Sequence, residues 1–218
     1  MLLEDVFTPD KIILIGIFLL VAFPVHEFAH ALVAYRLGDA TAKLYGRLTL
    51  NPIVHFDPVG GVLFVVSILF LGFGFGWAKP TPVNPSNLVD RRNGEVAVAL
   101  AGPASNLVLA AIGALIFRGV NALAQDTLIS EPVLASVLLG FVFYNVILAI
   151  FNLIPLPPLD GSALLFRVLS PQQGWQFRMM LGQYGPFLFT GLLLLMWFGG
   201  GQLIGRVATD VSRFLVGI

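Results

Sequence analysis

Three side chains that bind metals or move protons sit inside the apolar stretch Phe23-Pro-Val-His-Glu-Phe-Ala-His-Ala31: His26, Glu27 and His30. Residues four apart share a helix face, so His26 and His30 can offer two imidazole nitrogens to one metal ion. Glu27 is rotated by about 100° from His26. That sets its carboxylate beside such an ion rather than on it, where it can take a proton from water. Two histidines satisfied by ordinary hydrogen bonds are the plain alternative, but ionisable groups at membrane depth are costly and point to function. A second stretch, Phe151-Asn-Leu-Ile-Pro-Leu-Pro-Pro-Leu-Asp-Gly161, carries a carboxylate directly after a proline cluster. The prolines stop or unwind a helix and leave Asp160 on irregular backbone. Asp160 is read as a third ligand in preference to a helix N-cap. Two imidazoles and one carboxylate leave the fourth position of a tetrahedral zinc open, the donor set of a catalytic rather than a structural site. Zinc brings the pKa of water to about 7, and Glu27 is expected to stand where it can take the proton.

The surroundings of these groups are apolar. Of 218 residues, 57% are hydrophobic and 11% charged, against about a quarter charged in a soluble domain. The mean hydropathy is +0.90. This is the composition of an integral membrane protein, with the lipid bilayer as its solvent. Net charge is zero, which argues against a nucleic-acid partner. The chain has no cysteine, so neither disulfides nor thiolate ligands are available. Met1–Asp5 is acidic and lacks the basic start of a cleaved signal peptide, so the first apolar run is expected to stay as a spanning helix. No polar stretch is long enough for an appended sensor, and residues 1–218 read as a single membrane-embedded domain.

Apolar runs fall at Ile12–Tyr35, Val62–Gly76, Val96–Phe117, Val133–Ile154 and Tyr184–Gly205. A span needs about 20 residues, and only the second falls short. The expected fold is an all-α polytopic helical bundle with a membrane-associated re-entrant or extended segment between the first two long helices. Re-entry follows from the ligands. His30 lies towards the C-terminal end of the first run and Asp160 just past the end of the fourth, so one ion joins them only if both ends share a side. Gly72, Gly74 and Gly76 permit the required turn. This topology places Arg36, Lys43, Arg47, Lys79, Arg91, Arg92, Arg167 and Arg178 on one face, against Lys11 and Arg118 on the other. By the positive-inside bias the crowded face, and the site, face the cytoplasm, with the chain in a cell (inner) membrane. Gly46–Asn51 alternates like a strand and Trp77–Asn84 reads as extended, together suggesting an edge for an unfolded peptide. The tail Arg206–Ile218 is amphipathic and is expected on the membrane surface. His55 reads as an interfacial histidine, with a supporting place near the site as the alternative; Asp57 beside it has no assigned role.

The two motifs in this order resemble the site-2 protease family of intramembrane zinc metalloproteases. His26-Glu-Phe-Ala-His30 is similar to its zinc-binding motif, and Asn152-Leu-Ile-Pro-Leu-Pro-Pro-Leu-Asp-Gly161 to its second signature. Ala101-Gly-Pro-Ala-Ser-Asn106 also resembles a family element. Leu50-Asn-Pro-Ile-Val-His-Phe-Asp-Pro-Val-Gly60 is similar to the small subgroup without PDZ or CBS domains. The resemblance implies one catalytic Zn2+ on His26, His30 and Asp160, with Glu27 as catalytic base and Asn152 contacting the scissile segment of a transmembrane protein substrate. Asn106 is a polar group in a spanning run and serves either as interhelical glue or as a second substrate contact. A metal-ion or proton-coupled transporter is the alternative function, opposed by the single donor cluster and the lack of an inverted repeat.

Overall fold

The structure is a computed structural model describing residues 8–71, 76 and 78–218. Among the described residues, four helices are long and apolar enough to cross a membrane: Pro9–Arg36, Arg91–Leu123, Pro132–Asn152 and Phe187–Val216. The protein is therefore an all-α polytopic membrane protein. The first span joins α1 (Pro9–Ile17) to α2 (Phe23–Arg36) through a π turn at Phe18–Ala22. Pro24 accounts for the wide turn. It has no N–H for the carbonyl four residues back, and the Phe23 N–H reaches Phe18 O instead.

The second span, α6 (Arg91–Leu123), begins at Asp90, whose side chain accepts from the Asn93 N–H. It runs antiparallel to α2: Leu37 meets Val89, His30 meets Val98, and His26 meets Gly102 and Asn106. The short α7 (Gln125–Ser130) turns the chain into α8 (Pro132–Asn152), antiparallel to α6, with Phe141 against Gly113 and Asn145 against Asn106. The core between them is built from small and branched residues, Ala110, Ala114, Val142 and Val146, with Phe117. In lipid no hydrophobic drive pulls helices together, and such residues let backbones approach closely enough for dispersion to do so.

The register of α2 against α6 decides the topology. Val89 N–H donates to Leu37 O at 3.0 Å, so the chain leaves the first span and enters the second at one place. The intervening residues include α3 (Thr41–Leu44), α4 (Pro52–His55) and α5 (Pro58–Leu71). They make no net crossing. A helix as short as α5 extends about 21 Å, less than the ~30 Å of a hydrocarbon core. Gly76 lies against Gly60 O and Phe64, back at the first turns of α5. The expected re-entrant segment is present. Gly72, Gly74 and Trp77, which entered that expectation and the neighbouring extended one, lie outside the described residues.

Two expectations are corrected. No strand forms at 46–51 among the described residues, and 78–84, read as extended, carries neither helix nor strand. Gly46 turns the chain at φ 69°, Arg47 folds back onto Val54 O, and Pro80 and Pro82 have no N–H for a ladder. The C-terminal helix α11 (Gly201–Val216) is amphipathic, yet it docks on the bundle instead of lying on a surface. Ala208, Val211, Ser212, Leu215 and Val216 face α6 and α8, while Arg206, Asp210 and Arg213 are exposed. It continues α10 (Pro171–Leu195) through a kink at Phe198 and Gly199, the latter at φ 123°. The remaining helix, α9 (Ser162–Val168), follows the proline-rich loop after α8.

Candidate metal centre

His26 and His30 are 5% and 7% exposed, and each spends one ring nitrogen on a fixed acceptor from α6. His30 Nδ1 donates to Val98 O at 2.7 Å. His26 Nδ1 donates to Asn106 Oδ1 at 2.6 Å. The direction of that second bond is set by a relay. Phe141 O can only accept, so Asn145 turns its Nδ2 to it (2.9 Å) and presents Oδ1 to Asn106 Nδ2 (3.0 Å). Asn106 is then left with its oxygen towards His26. Both imidazoles therefore carry hydrogen on Nδ1 and a lone pair on Nε2.

Those two Nε2 atoms are 3.1 Å apart. Asp160 closes the triangle, with Oδ2 3.2 Å from His26 Nε2 and Oδ1 3.4 Å from His30 Nε2. Three electron-pair donors facing one another repel unless a cation lies between them. Asp160 Oδ2 is also buried without a hydrogen-bond partner. Tetrahedral zinc with bonds near 2.0–2.1 Å has ligand–ligand edges of about 3.3 Å. The site fits zinc in donor type, tautomer and spacing. Among the described residues, His26, His30 and Asp160 are the one group that could hold a metal ion.

The loop after α8 delivers Asp160. Gly161 N–H closes back on Asn152 O at 2.6 Å, and Leu159 is buried beside Asp160. A side chain at Gly161 would collide with the Leu153 and Ile154 carbonyls, so this tight return requires glycine. Gly102 is equally constrained. A Cβ there would stand 2.6 Å from His26 Nε2 and would also strike His30 Nε2.

Glu27 stands beside this triad, with Oε2 accepting from Thr81 N at 2.9 Å and from Thr81 Oγ1 at 2.7 Å. Asn152 is half-buried and gives its Nδ2 to Leu148 O at 2.9 Å. Glu27, Asn152 and the three donors line one end of a cavity of about 1170 Å³. Asn106 is fully buried and lines no part of it. His55 is 2% exposed, with Nε2 on Thr49 O at 2.8 Å. Asp57 starts α5, accepting the Gly60 N–H at 2.9 Å. Sequence reasoning missed Thr81, Asn145 and the Val98 carbonyl. No local signal marks a main-chain carbonyl or a hydroxyl that meets its partner only through the fold.

A membrane bundle that converges two histidines and an aspartate beside a glutamate defines a membrane-embedded zinc metalloprotease. The chain belongs to peptidase family M50, whose model matches residues 12–127 and 118–181. YwhC of Bacillus subtilis (strain 168), named as a zinc metalloprotease, is 44% identical over 178 residues, covering 81% of this chain and 78% of its own. Rip2 of Mycolicibacterium smegmatis, named likewise, is 32% identical over 217 residues, 87% of this chain and 81% of its own. Rip2 of Mycobacterium tuberculosis (strain H37Rv) is 31% identical over 156 residues, 70% of this chain and 56% of its own. No solved structure gives a significant match. Zinc is the cofactor that this family membership implies.

Proposed function

We propose that this protein is an intramembrane endopeptidase that hydrolyses peptide bonds within or beside the transmembrane segments of other membrane proteins. The observation that carries the reading is the cavity. It runs from Glu27 and the metal donors between α1, α8 and the α10–α11 helix pair, walled by Leu14, Phe18, Ile147, Leu148, Phe189 and Leu193. Walls of this kind suit an apolar spanning segment better than a soluble peptide.

His26, His30 and Asp160 are assigned as the ligands, and zinc held there would acidify water and polarise the scissile carbonyl. Among the described residues the donors to the Glu27 carboxylate fall on Oε2; Oε1 accepts the proton of the attacking water and passes it to the leaving amine. Asn152 lies on the cavity wall, where exchanging Leu148 O for the substrate carbonyl would stabilise the developing negative charge. Asn106 is assigned to holding His26 rather than to touching substrate. A helical substrate must unwind near the site, because its carbonyls are otherwise occupied. The end of the bundle bearing Arg36, Arg91, Arg92 and Arg167 is assigned to the cytoplasm on the positive-inside bias.

The test is cleavage of a transmembrane reporter by the purified protein. Glu27→Gln should abolish cleavage with zinc still bound. Cleavage that survives this change removes Glu27 as the base, and a wild-type protein that cleaves no such reporter removes the reading itself.

A further inference from the structure

Thr81 makes three hydrogen-bonding contacts, from its N–H and its hydroxyl, to a single residue, Glu27. Its N–H reaches Oε2 at 2.9 Å, its hydroxyl reaches the same oxygen at 2.7 Å, and the hydroxyl also lies 3.1 Å from the Glu27 main-chain O. Both side-chain contacts fall on one carboxylate oxygen. The other is left as the oxygen that can take a proton.

The backbone carrying Thr81 is anchored on either side. Lys79 N–H donates to His55 O at 2.8 Å, and the Arg47 guanidinium donates to Lys79 O at 3.5 Å. Asn84 N–H donates to Asp39 Oδ2 at 2.7 Å. His55, Arg47 and Asp39 are all buried polar side chains outside the metal centre. Each is committed to this strap or to the turns that hold it: Asp39 also accepts from Thr41 and Asn87, and His55 from its ring also meets Thr49 O. Pro80 and Pro82 fix φ on both sides of Thr81 and remove two N–H groups that could pair elsewhere. The strap also forms cavity wall, through Ala78, Pro80, Thr81 and Val83.

We infer that Thr81 is a positioning residue for Glu27 and that the strap Lys79–Asn84 serves to present it. This rests on the proposed role of Glu27 as base. A glutamate on a helix can swing about three side-chain torsions. Two donors from a stiff, doubly anchored backbone hold Oε2 in place and thereby select Oε1 for proton transfer. Such a residue acts on the chemical step and not on substrate affinity.

Three variants of the full chain test the inference. Thr81→Val keeps the shape and loses the hydroxyl, Thr81→Pro loses the N–H as well, and Thr81→Ser keeps both donors. With zinc content unchanged, kcat should fall about tenfold in Thr81→Val, the lower range for a hydrogen bond to a charged acceptor. It should fall further in Thr81→Pro, with KM held within about twofold, and Thr81→Ser should restore it. A readout independent of turnover is hydrogen exchange across residues 79–83. Only Lys79, Thr81 and Val83 have amide hydrogens there, and Glu27→Ala should speed the exchange of one of them. Unchanged kcat in both Thr81→Val and Thr81→Pro, in a protein whose wild type cleaves the reporter, overturns the inference and leaves the proposed function standing. Unchanged exchange in Glu27→Ala overturns it whatever the activity. A wild-type protein without cleavage refutes the proposed function instead.

Discussion

Gly102 offers a sharp test of the metal centre, because its replacement by alanine should damage the site while favouring the helix that carries it. An added Cβ would lie 2.6 Å from His26 Nε2, where ordinary contact begins at 3.4 Å, and would press equally on His30. Neither ring can retreat cheaply. Each is held at its other nitrogen, His30 by Val98 O and His26 by the asparagine relay. One imidazole must therefore break its hydrogen bond and turn its lone pair away. Loss of an outer hydrogen bond alone costs 10–100-fold in metal affinity; displacing a ligand as well should exceed ~100-fold, or about 2.8 kcal/mol. Alanine is intrinsically better than glycine in a helix by about 1 kcal/mol, so weaker zinc binding cannot come from a weaker α6. Affinity is measured by competition with a chromophoric chelator in detergent, with circular dichroism as the check on folding. Gly119→Ala, on the same helix with open space around it, should bind zinc as the wild type does. A Gly102→Ala protein with wild-type zinc affinity would refute the packing of α6 against the two histidines.

Three further outcomes follow from the same geometry. Asn106→Leu removes the acceptor of His26 Nδ1 and strands Asn145, so zinc affinity should fall by 10–100-fold with helicity retained; equilibrium dialysis against labelled zinc measures this, and an unchanged affinity would show that the relay does not orient His26. Burial pushes the Asp39 carboxyl up, but hydrogen bonds from Thr41, Asn87 and the Asn84 N–H outweigh it and hold the carboxyl below its ordinary value. The folded state thus binds fewer protons than the unfolded one. The stabilisation is complete above the unfolded pKa of about 3.9 and is lost as pH falls through the lower folded value. Asp39→Asn should therefore flatten the fall in melting temperature on acidification below that point, and an unaltered pH dependence would contradict the role of the cluster. Finally, single cysteines at Lys43 and Asn87 should label with an impermeant thiol reagent from one side only, because α5 makes no net crossing; labelling from opposite sides would break the antiparallel register of α2 and α6.

What was legible in the sequence was local. Helical periodicity places His26 and His30 on one face whatever surrounds them, and a proline cluster ends α8 before Asp160 in any fold. The apolar runs marked the spans for the same reason, since a bilayer accepts only long apolar helices. The re-entry of α5 was legible as well, because two candidate ligands for one ion constrain which ends of the helices meet. Tertiary structure decided what depends on partners far apart in the chain. Asn106 lies 80 residues from His26 and Thr81 lies 54 from Glu27. No periodicity encodes such a meeting, so the sequence left Asn106 between helix glue and substrate contact and gave Thr81 no role at all. The burial of His55 was likewise invisible, because a histidine beside prolines carries no sign of it. The apolar stripe of α11 suited a membrane surface as well as a protein groove, since its pattern records only which face avoids water. The small residues of α6 and α8 offered that stripe a closer fit than lipid does, and that choice belongs to the assembled bundle.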